Sequence, residues 1–290
     1  MKNSVIVATH HKTGTVWMAT VFKAIAEDLG ATYIDYWAEK GRVEEALKRP
    51  FVLFNYDSDF RGHSQLLSRD DVRILHLIRD PRDVLISAMH YHRGADESWL
   101  HEPVPGYDNI TYQRRLNAFE TRYEQYVFEM ENSTDSTLRD MQGWQYDRSN
   151  CFEARYEDLR QDTQMGYWSR IIDFLGFEAA EQLVCRQRFW EHSLFGSLSG
   201  RGHRHVRSGD VAQWKHEFTP ELAQVFCWKF PKVLQALGYE PDDRWLSEVQ
   251  GATAKAANSA NAARPDSLAA MVRRLAGQHW ERLKVSGRSA

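Results

Sequence analysis

The sequence predicts an α/β fold: a single domain with a central parallel sheet flanked by helices, followed by a C-terminal helical extension. Three observations carry this. Short β-branched apolar runs alternate with segments of helical period from Val5 to Leu237, the pattern of strands joined by right-handed crossovers. Two of the strands, around Val5-Ile6-Val7 and Val72 to Ile78, each run into a polar loop and then a helix. A length of 290 residues, with 42% hydrophobic and 27% charged, provides ample core and shows no disorder signature in the bulk.

The elements follow in order. After Val5-Ile6-Val7 come Thr9-His10-His11 and Lys12-Thr13-Gly14-Thr15, and then Val16, Met18, Ala19, Val21, Phe22 and Ile25 space a helix that ends near Gly30. Ala31 to Tyr36 reads as a strand, Glu39 to Arg49 as a charged helix and Phe51 to Phe54 as a third strand. The central strand Val72 to Ile78 stops at Arg79, where Asp80 suits an N-cap and Pro81 a first helical turn.

From Arg93 to Asn150 the pattern loosens around a charged helix predicted over Tyr112 to Met130. That region is a lid or acceptor-side insertion, or equally a helical connection packed on the sheet. Cys151 to Tyr156 returns as a strand, with helices expected at Gly166 to Leu175, Glu178 to Phe189 and Pro220 to Leu237. Trp228 and Phe230 are expected in the core.

Domain limits follow from composition: residues 1–243 form the main domain, 244–263 an Ala/Ser/Asn-rich linker and 264–290 an amphipathic helix. That helix gathers Leu268, Met271, Val272, Leu275 and Leu283 on one face, with Arg273, Arg274, Arg282 and Lys284 outside it. It could dock on an anionic membrane, a partner or its own domain.

Composition also excludes. A net charge of −3 leaves no basic footprint, so no nucleic-acid partner is expected. Cys151, Cys185 and Cys227 lie far apart, which argues against a disulfide scaffold and a zinc site, and no metal-ligand spacing is evident. No apolar stretch is long enough to span a membrane and no secretory leader is evident, so a cytoplasmic protein is expected.

The loop before the first helix is the centre of the functional reading. First-turn N–H groups have no partner within a helix and sit at its positive end, so a strand-loop-helix unit is suited to an anion. Gly14 allows close approach, and Thr13, Thr15 and Lys12 add possible donors. In the usual nucleotide loop the lysine follows the second glycine, whereas Lys12 precedes the loop's only glycine. An ordinary ATP or GTP site is thereby disfavoured.

Lys12-Thr13-Gly14-Thr15-Val16-Trp17 resembles instead the 5′-phosphosulfate loop of sulfotransferases that use 3′-phosphoadenosine 5′-phosphosulfate (PAPS). Arg79 and Ser87, with Pro81 and Asp83 between them, resemble the family's 3′-phosphate motif. Residues Arg207 to Thr219 resemble its late signature, with departures at Ser208, Ala212 and Gln213. Tyr156-Glu157-Asp158-Leu159 and the segment Ser193 to Arg201 are similar to two further motifs. The resemblance covers about Val5 to Tyr239 and implies a P-loop-like domain. It implies that Lys12, Thr13, Gly14, Thr15 and Val16 hold the phosphosulfate, and that Arg79, Ser87, Arg207, Ser208 and Gly209 hold the 3′-phosphate. Trp17, Tyr156 and Phe195 would then bracket the adenine, with Ser193 bonding its edge.

The same resemblance implies transfer of the sulfuryl group from PAPS, without a metal, to a hydroxyl or amine of a small-molecule or glycan acceptor. Lys12 would neutralise the leaving oxygen. A histidine within a Lys-x-His motif would be the general base, here His63, with Arg61 in the place of the lysine. His10 and His11 are rivals beside the loop, while His90 and His92 touch the acceptor or fill structure. A P-loop kinase-like phosphotransferase and a catalytically inactive nucleotide-binding protein are the alternatives. A homodimer is possible, although Pro220 and Gln224 depart from the family's dimer segment.

Overall fold

The computed structural model describes residues 1–39, 43, 50–199 and 209–249. Five parallel strands, β1 (Ser4–Thr9), β2 (Thr32–Asp35), β3 (Phe51–Asn55), β4 (Val72–Ile78) and β5 (Cys151–Arg155), pair in the order β2-β3-β1-β4-β5. All six residues of β1 are buried, because β3 and β4 flank it in the sheet and other elements cover both of its faces. A strand in that position must be apolar on both sides, which is why it reads as a continuous run rather than an alternation.

Its side chains still divide by parity. Val5 and Val7 join a core with Phe22 and Ile25 of helix α1 (Thr15–Asp28), whereas Ile6 and Ala8 join Ile34, Leu53 and Ile74 on the opposite face. Helix α2 (Pro81–His92) begins as expected: Pro81 is at its start, and the Asp80 carboxylate accepts from the Arg82 backbone N–H at 2.9 Å.

The region 112–143 is more finely divided than its charge pattern indicates. Two helices, α3 (Tyr112–Asn117) and α4 (Arg122–Glu131), replace the single predicted one, and a third, α5 (Ser133–Gly143), follows. The break is local chemistry: Thr121 and Glu124 form a capping box that starts α4 afresh. These helices are both connection and wall, packing on α2 while Ser133, Ser136, Thr137 and Asp140 face a cavity.

After β5 come α6 (Tyr156–Gln161), α7 (Gly166–Phe174), α8 (Ala179–Glu191) and α9 (Trp214–Glu217). The predicted helix from Pro220 to Leu237 is two, α10 (Pro220–Lys229) and α11 (Val233–Ala236). Pro231 has no N–H to continue the first, and Lys232 turns the chain with φ of 62°. Phe230 is in the core, but Trp228 is 69% exposed, because its position on α10 points away from that core.

Packing continues past the expected boundary at residue 243, since Trp245 is 1% exposed and edge-on to Trp214 at 5.5 Å. The helix expected at Glu39 to Arg49, apart from the buried, helical Val43, lies outside the described residues, as do residues 250–290 with most of the linker and the C-terminal helix. Among the described residues no helix is long and apolar enough to cross a membrane.

The α1-side core is closed by Trp168, fully buried, stacked on Phe189 at 4.3 Å and donating its indole N–H to the Cys185 carbonyl at 3.1 Å. Trp168→Ala removes both the ring and that bond, and is expected to lower stability by about 3–5 kcal/mol in urea unfolding with the fold retained.

Candidate active site

The loop from β1 to α1 is organised by one carbonyl. The oxygen of His10 accepts from the Thr13 N–H at 3.1 Å, the Thr13 hydroxyl at 2.8 Å and the Thr15 hydroxyl at 2.8 Å. Thr13 is fully buried, so its hydroxyl holds the loop rather than facing an anion. The turn needs Lys12 at φ 65° and Gly14 at φ 106°. At Gly14 a Cβ would also stand 3.1 Å from the Tyr156 ring and 3.3 Å from Leu77. Glycine is required there for both reasons.

Helix α1 has no side-chain cap, and its first intrahelical bond runs from Met18 N–H to the Gly14 carbonyl at 3.0 Å. The N–H groups of Thr15, Val16 and Trp17 precede that bond and are open to a ligand. Two cations converge beside them. Lys12 Nζ lies 3.4 Å from the centroid of the Tyr91 ring. Burial, with Arg79 close by, pulls its ammonium down to about 8. Arg79 is 4% exposed, donates to the carbonyls of Lys12 at 3.1 Å and Asp210 at 3.2 Å, and lies 4.4 Å over the Tyr156 ring. Its buried Nε has no partner among the described residues.

These groups open on one cavity of about 1370 Å³, which Ser87 also lines from α2. Trp17 and Tyr156 line it, meeting edge-on at 6.2 Å, with Trp17 stacked on Phe189 at 5.3 Å. Phe195 and Ser193 do not line it. Phe195 packs on Phe189 and Trp190, while Ser193 is fully buried and donates to the Trp190 carbonyl at 3.1 Å. Their neighbours Leu194 and Leu198 face the cavity instead. Gly209 lines it too, and its carbonyl accepts from the Tyr156 hydroxyl at 2.9 Å and Arg160 at 3.0 Å. Arg207 and Ser208 lie outside the described residues.

The lining also carries Tyr56, Asp57, Asp96, Glu97, Trp99 and Asp140, and Glu97 accepts from the hydroxyl of Tyr91, the ring beneath Lys12, at 2.8 Å. Burial pushes the Asp57 carboxyl up, and burial together with Asp57 and Asp59 does the same for Asp140. His63 and Arg61, expected at the reaction centre, are not in the lining. His63 meets the Tyr36 hydroxyl at 3.1 Å, and the Arg61 side chain is 91% exposed and paired with Asp59. The reason is the length of β3: the strand ends at Asn55, so Tyr56 and Asp57 emerge at the cavity and the chain has turned away by residue 61. The histidines that do line it are His10, His11, His90 and His192.

A model of the sulfotransferase domain matches residues 2–238. The chain belongs to the sulfotransferase family. Among curated sulfotransferases, sulfotransferase 2A2 of Rattus norvegicus is 24% identical over 250 residues, covering 78% of this chain and 82% of its own. The amine sulfotransferase of Oryctolagus cuniculus is 24% identical over 259 residues, covering 77% and 78% respectively. Mouse sulfotransferase SULT7A1, solved with PAP bound, superposes with a TM-score of 0.54 at 18% identity, over 86% of this chain and 89% of that one. The central parallel sheet flanked by helices is thus the sulfotransferase fold.

Proposed function

We propose that this sulfotransferase takes its sulfuryl group from PAPS and transfers it, by in-line displacement, to a hydroxyl or amine of a small-molecule acceptor. The observation that carries this reading is the convergence, on one cavity, of the open N-terminus of α1, Lys12, Arg79 and the Trp17–Tyr156 pair. The residues fit the nucleotide. The turn at Gly14 brings in α1 with no side-chain cap on its first N–H groups, and the buried Arg79 Nε supplies a donor with no partner among the described residues. Bound PAPS would supply an activated sulfuryl group whose leaving atom is a phosphate oxygen.

Each residue then has a task. Lys12 and the first N–H groups of α1 stabilise negative charge at the leaving oxygen. Arg79 and Ser87 hold the 3′-phosphate, and Trp17 and Tyr156 offer ring faces and edges to the purine, each stack contributing about 1–3 kcal/mol. Gly209 closes this end. Holding both reactants in line is the larger part of the work, since sulfuryl transfer, like phosphoryl transfer, depends on positioning and charge stabilisation.

The same cavity wall carries four carboxylates. Asp57, Asp96, Glu97 and Asp140 repel an anion and attract a cation, so the reading favours neutral or amine-bearing acceptors. In assays with labelled PAPS, a primary amine and an uncharged phenol are expected to turn over, and a carboxylated analogue of the same phenol to be at least about tenfold slower.

Calorimetry with 3′,5′-adenosine bisphosphate tests the donor site, with ATP–Mg²⁺ as comparator and a chelator present in the bisphosphate arm. Lys12→Ala and Arg79→Ala are each expected to weaken bisphosphate binding about tenfold or more. Tighter binding of ATP–Mg²⁺ would replace this reading by a phosphotransferase. Bisphosphate binding with no turnover on any acceptor would favour the inactive binding protein.

The same titration has a defined pH dependence. Lys12 in the free protein loses its proton near pH 8, whereas the bound dianion holds that proton to higher pH. Affinity is therefore full below about 8 and falls as pH rises through it, by up to about tenfold per unit. Lys12→Arg, which stays charged, is expected to flatten that fall.

A further inference from the structure

We infer that His11 takes the proton from the acceptor group, held in the right tautomer by a buried pair, His92 and Glu129. The inference rests on the sulfotransfer reading above and names its base. The three groups form a continuous chain from cavity to core. His11 Nε2 lies 2.9 Å from His92 Nε2, with the two rings nearly parallel, 10° apart, and their centroids 5.0 Å apart, an end-to-end meeting of the two nitrogens. His92 Nδ1 lies 3.0 and 3.1 Å from the two oxygens of Glu129. His92 and Glu129 are fully buried.

The tautomers follow from the far end of the chain. Glu129 accepts from the Tyr112 hydroxyl at 3.0 Å and the Thr134 hydroxyl at 3.4 Å, and accepts the Nδ1 proton of His92. In the proposed relay His92 carries that one proton, on Nδ1, so its Nε2 is bare and can only accept. His11 must therefore donate from its own Nε2. Its Nδ1 is left as a lone pair, and it makes no hydrogen bond among the described residues. His11 is part-buried in the wall of the cavity, next to Lys12. Burial, with His92 and Lys12 beside it, holds its imidazole well below the usual range, so it is neutral before reaction. An anionic donor against Lys12 offsets the last of these effects and strengthens the base.

A second chain has the same wiring and serves as the contrast. His10 Nε2 lies 2.8 Å from His76 Nε2, and His76 Nδ1 bonds Glu153. There the outer nitrogen, His10 Nδ1, is sealed from solvent and without a partner among the described residues, so it cannot reach an acceptor. Adjacent residues at the end of β1 thus carry two relays, one ending in the packed interior and one ending at the cavity.

In the step itself the acceptor's O–H or N–H proton goes to His11 Nδ1. Its electron pair forms the new bond to sulfur, and the electrons of the broken sulfur–oxygen bond leave on the phosphate oxygen. His92 and Glu129 do not touch the reacting atoms. They position His11 and stabilise the imidazolium that forms.

Nitrogen-15 NMR of the full chain labelled in its histidine rings, with His11→Gln for assignment, reads the tautomer directly and needs no acceptor. The expected result is His11 protonated at Nε2 and bare at Nδ1, with a mixture of tautomers in Glu129→Gln. A His11 protonated at Nδ1 overturns the inference. In turnover, His11→Gln is expected to lose about 10²–10⁴-fold in kcat, with bisphosphate affinity within about threefold of the parent. His92→Phe is expected to lose part of that, and His92→Gln, which restores an accepting oxygen, to recover most of it. Parental turnover in His11→Gln, or a comparable loss only in Asp57→Asn, overturns it. If the parent fails to bind the bisphosphate, the sulfotransfer reading fails instead, and the tautomer still decides whether the relay exists.

Discussion

Much of this site hangs on the carbonyl of His10. Three donors converge on it, two of them hydroxyls that a different loop sequence would not supply. Because they do, the chain makes its left-handed turns at Lys12 and Gly14 and enters α1 with the first-turn N–H groups free. The same arrangement sets the rings of His10 and His11, which leave the strand just before the turn. Anion-binding backbone, cation and both histidine relays are therefore fixed by one short segment at the carboxyl end of the central strand, where open α/β sheets collect their ligands.

Around that segment charges of both signs line a single cavity. Lys12 and Arg79 are close enough for Arg79 to depress the Lys12 ammonium, and Asp57, Asp96, Glu97 and Asp140 share the wall. Asp83 lies 3.8 Å from Arg79, yet two like charges held together are unfavourable, and so are several carboxylates. The fold tolerates both because other elements pin them. Tyr91 underlies Lys12, carbonyls of the main chain receive Arg79, and the Trp37 indole and the Asp59 N–H donate to Asp57.

The features legible in the sequence are those with local causes. β-branched runs marked the strands, Gly14 and Lys12 marked the turn, and Asp80-Pro81 marked the start of α2, all within a few residues. The breaks in the helices were also local but overlooked: a Thr-x-x-Glu pair at Thr121 and a proline at 231 outweigh the apolar spacing that suggested longer helices. What could not be read is what depends on distance. His11 and His92 are 81 residues apart, and His92 and Glu129 are 37 apart; no spacing rule links them. The place of His63 in a motif does not fix its place in space: the chain turns away after β3, and His63 meets Tyr36 instead of lining the cavity.

The carbonyl of Asp210 receives one hand of Arg79, and that of Gly209 receives Tyr156. Both belong to a late stretch of the chain. At ribosomal speeds of about 5–20 residues per second, roughly 10–40 s separate the emergence of Lys12 from that of Asp210. Throughout that interval the nascent chain carries a lysine and an arginine at the end of an unfinished sheet, with the arginine's anchor still untranslated. Until then the early strands have their own backbone ladders and apolar contacts to hold them together, without the finished nucleotide cradle.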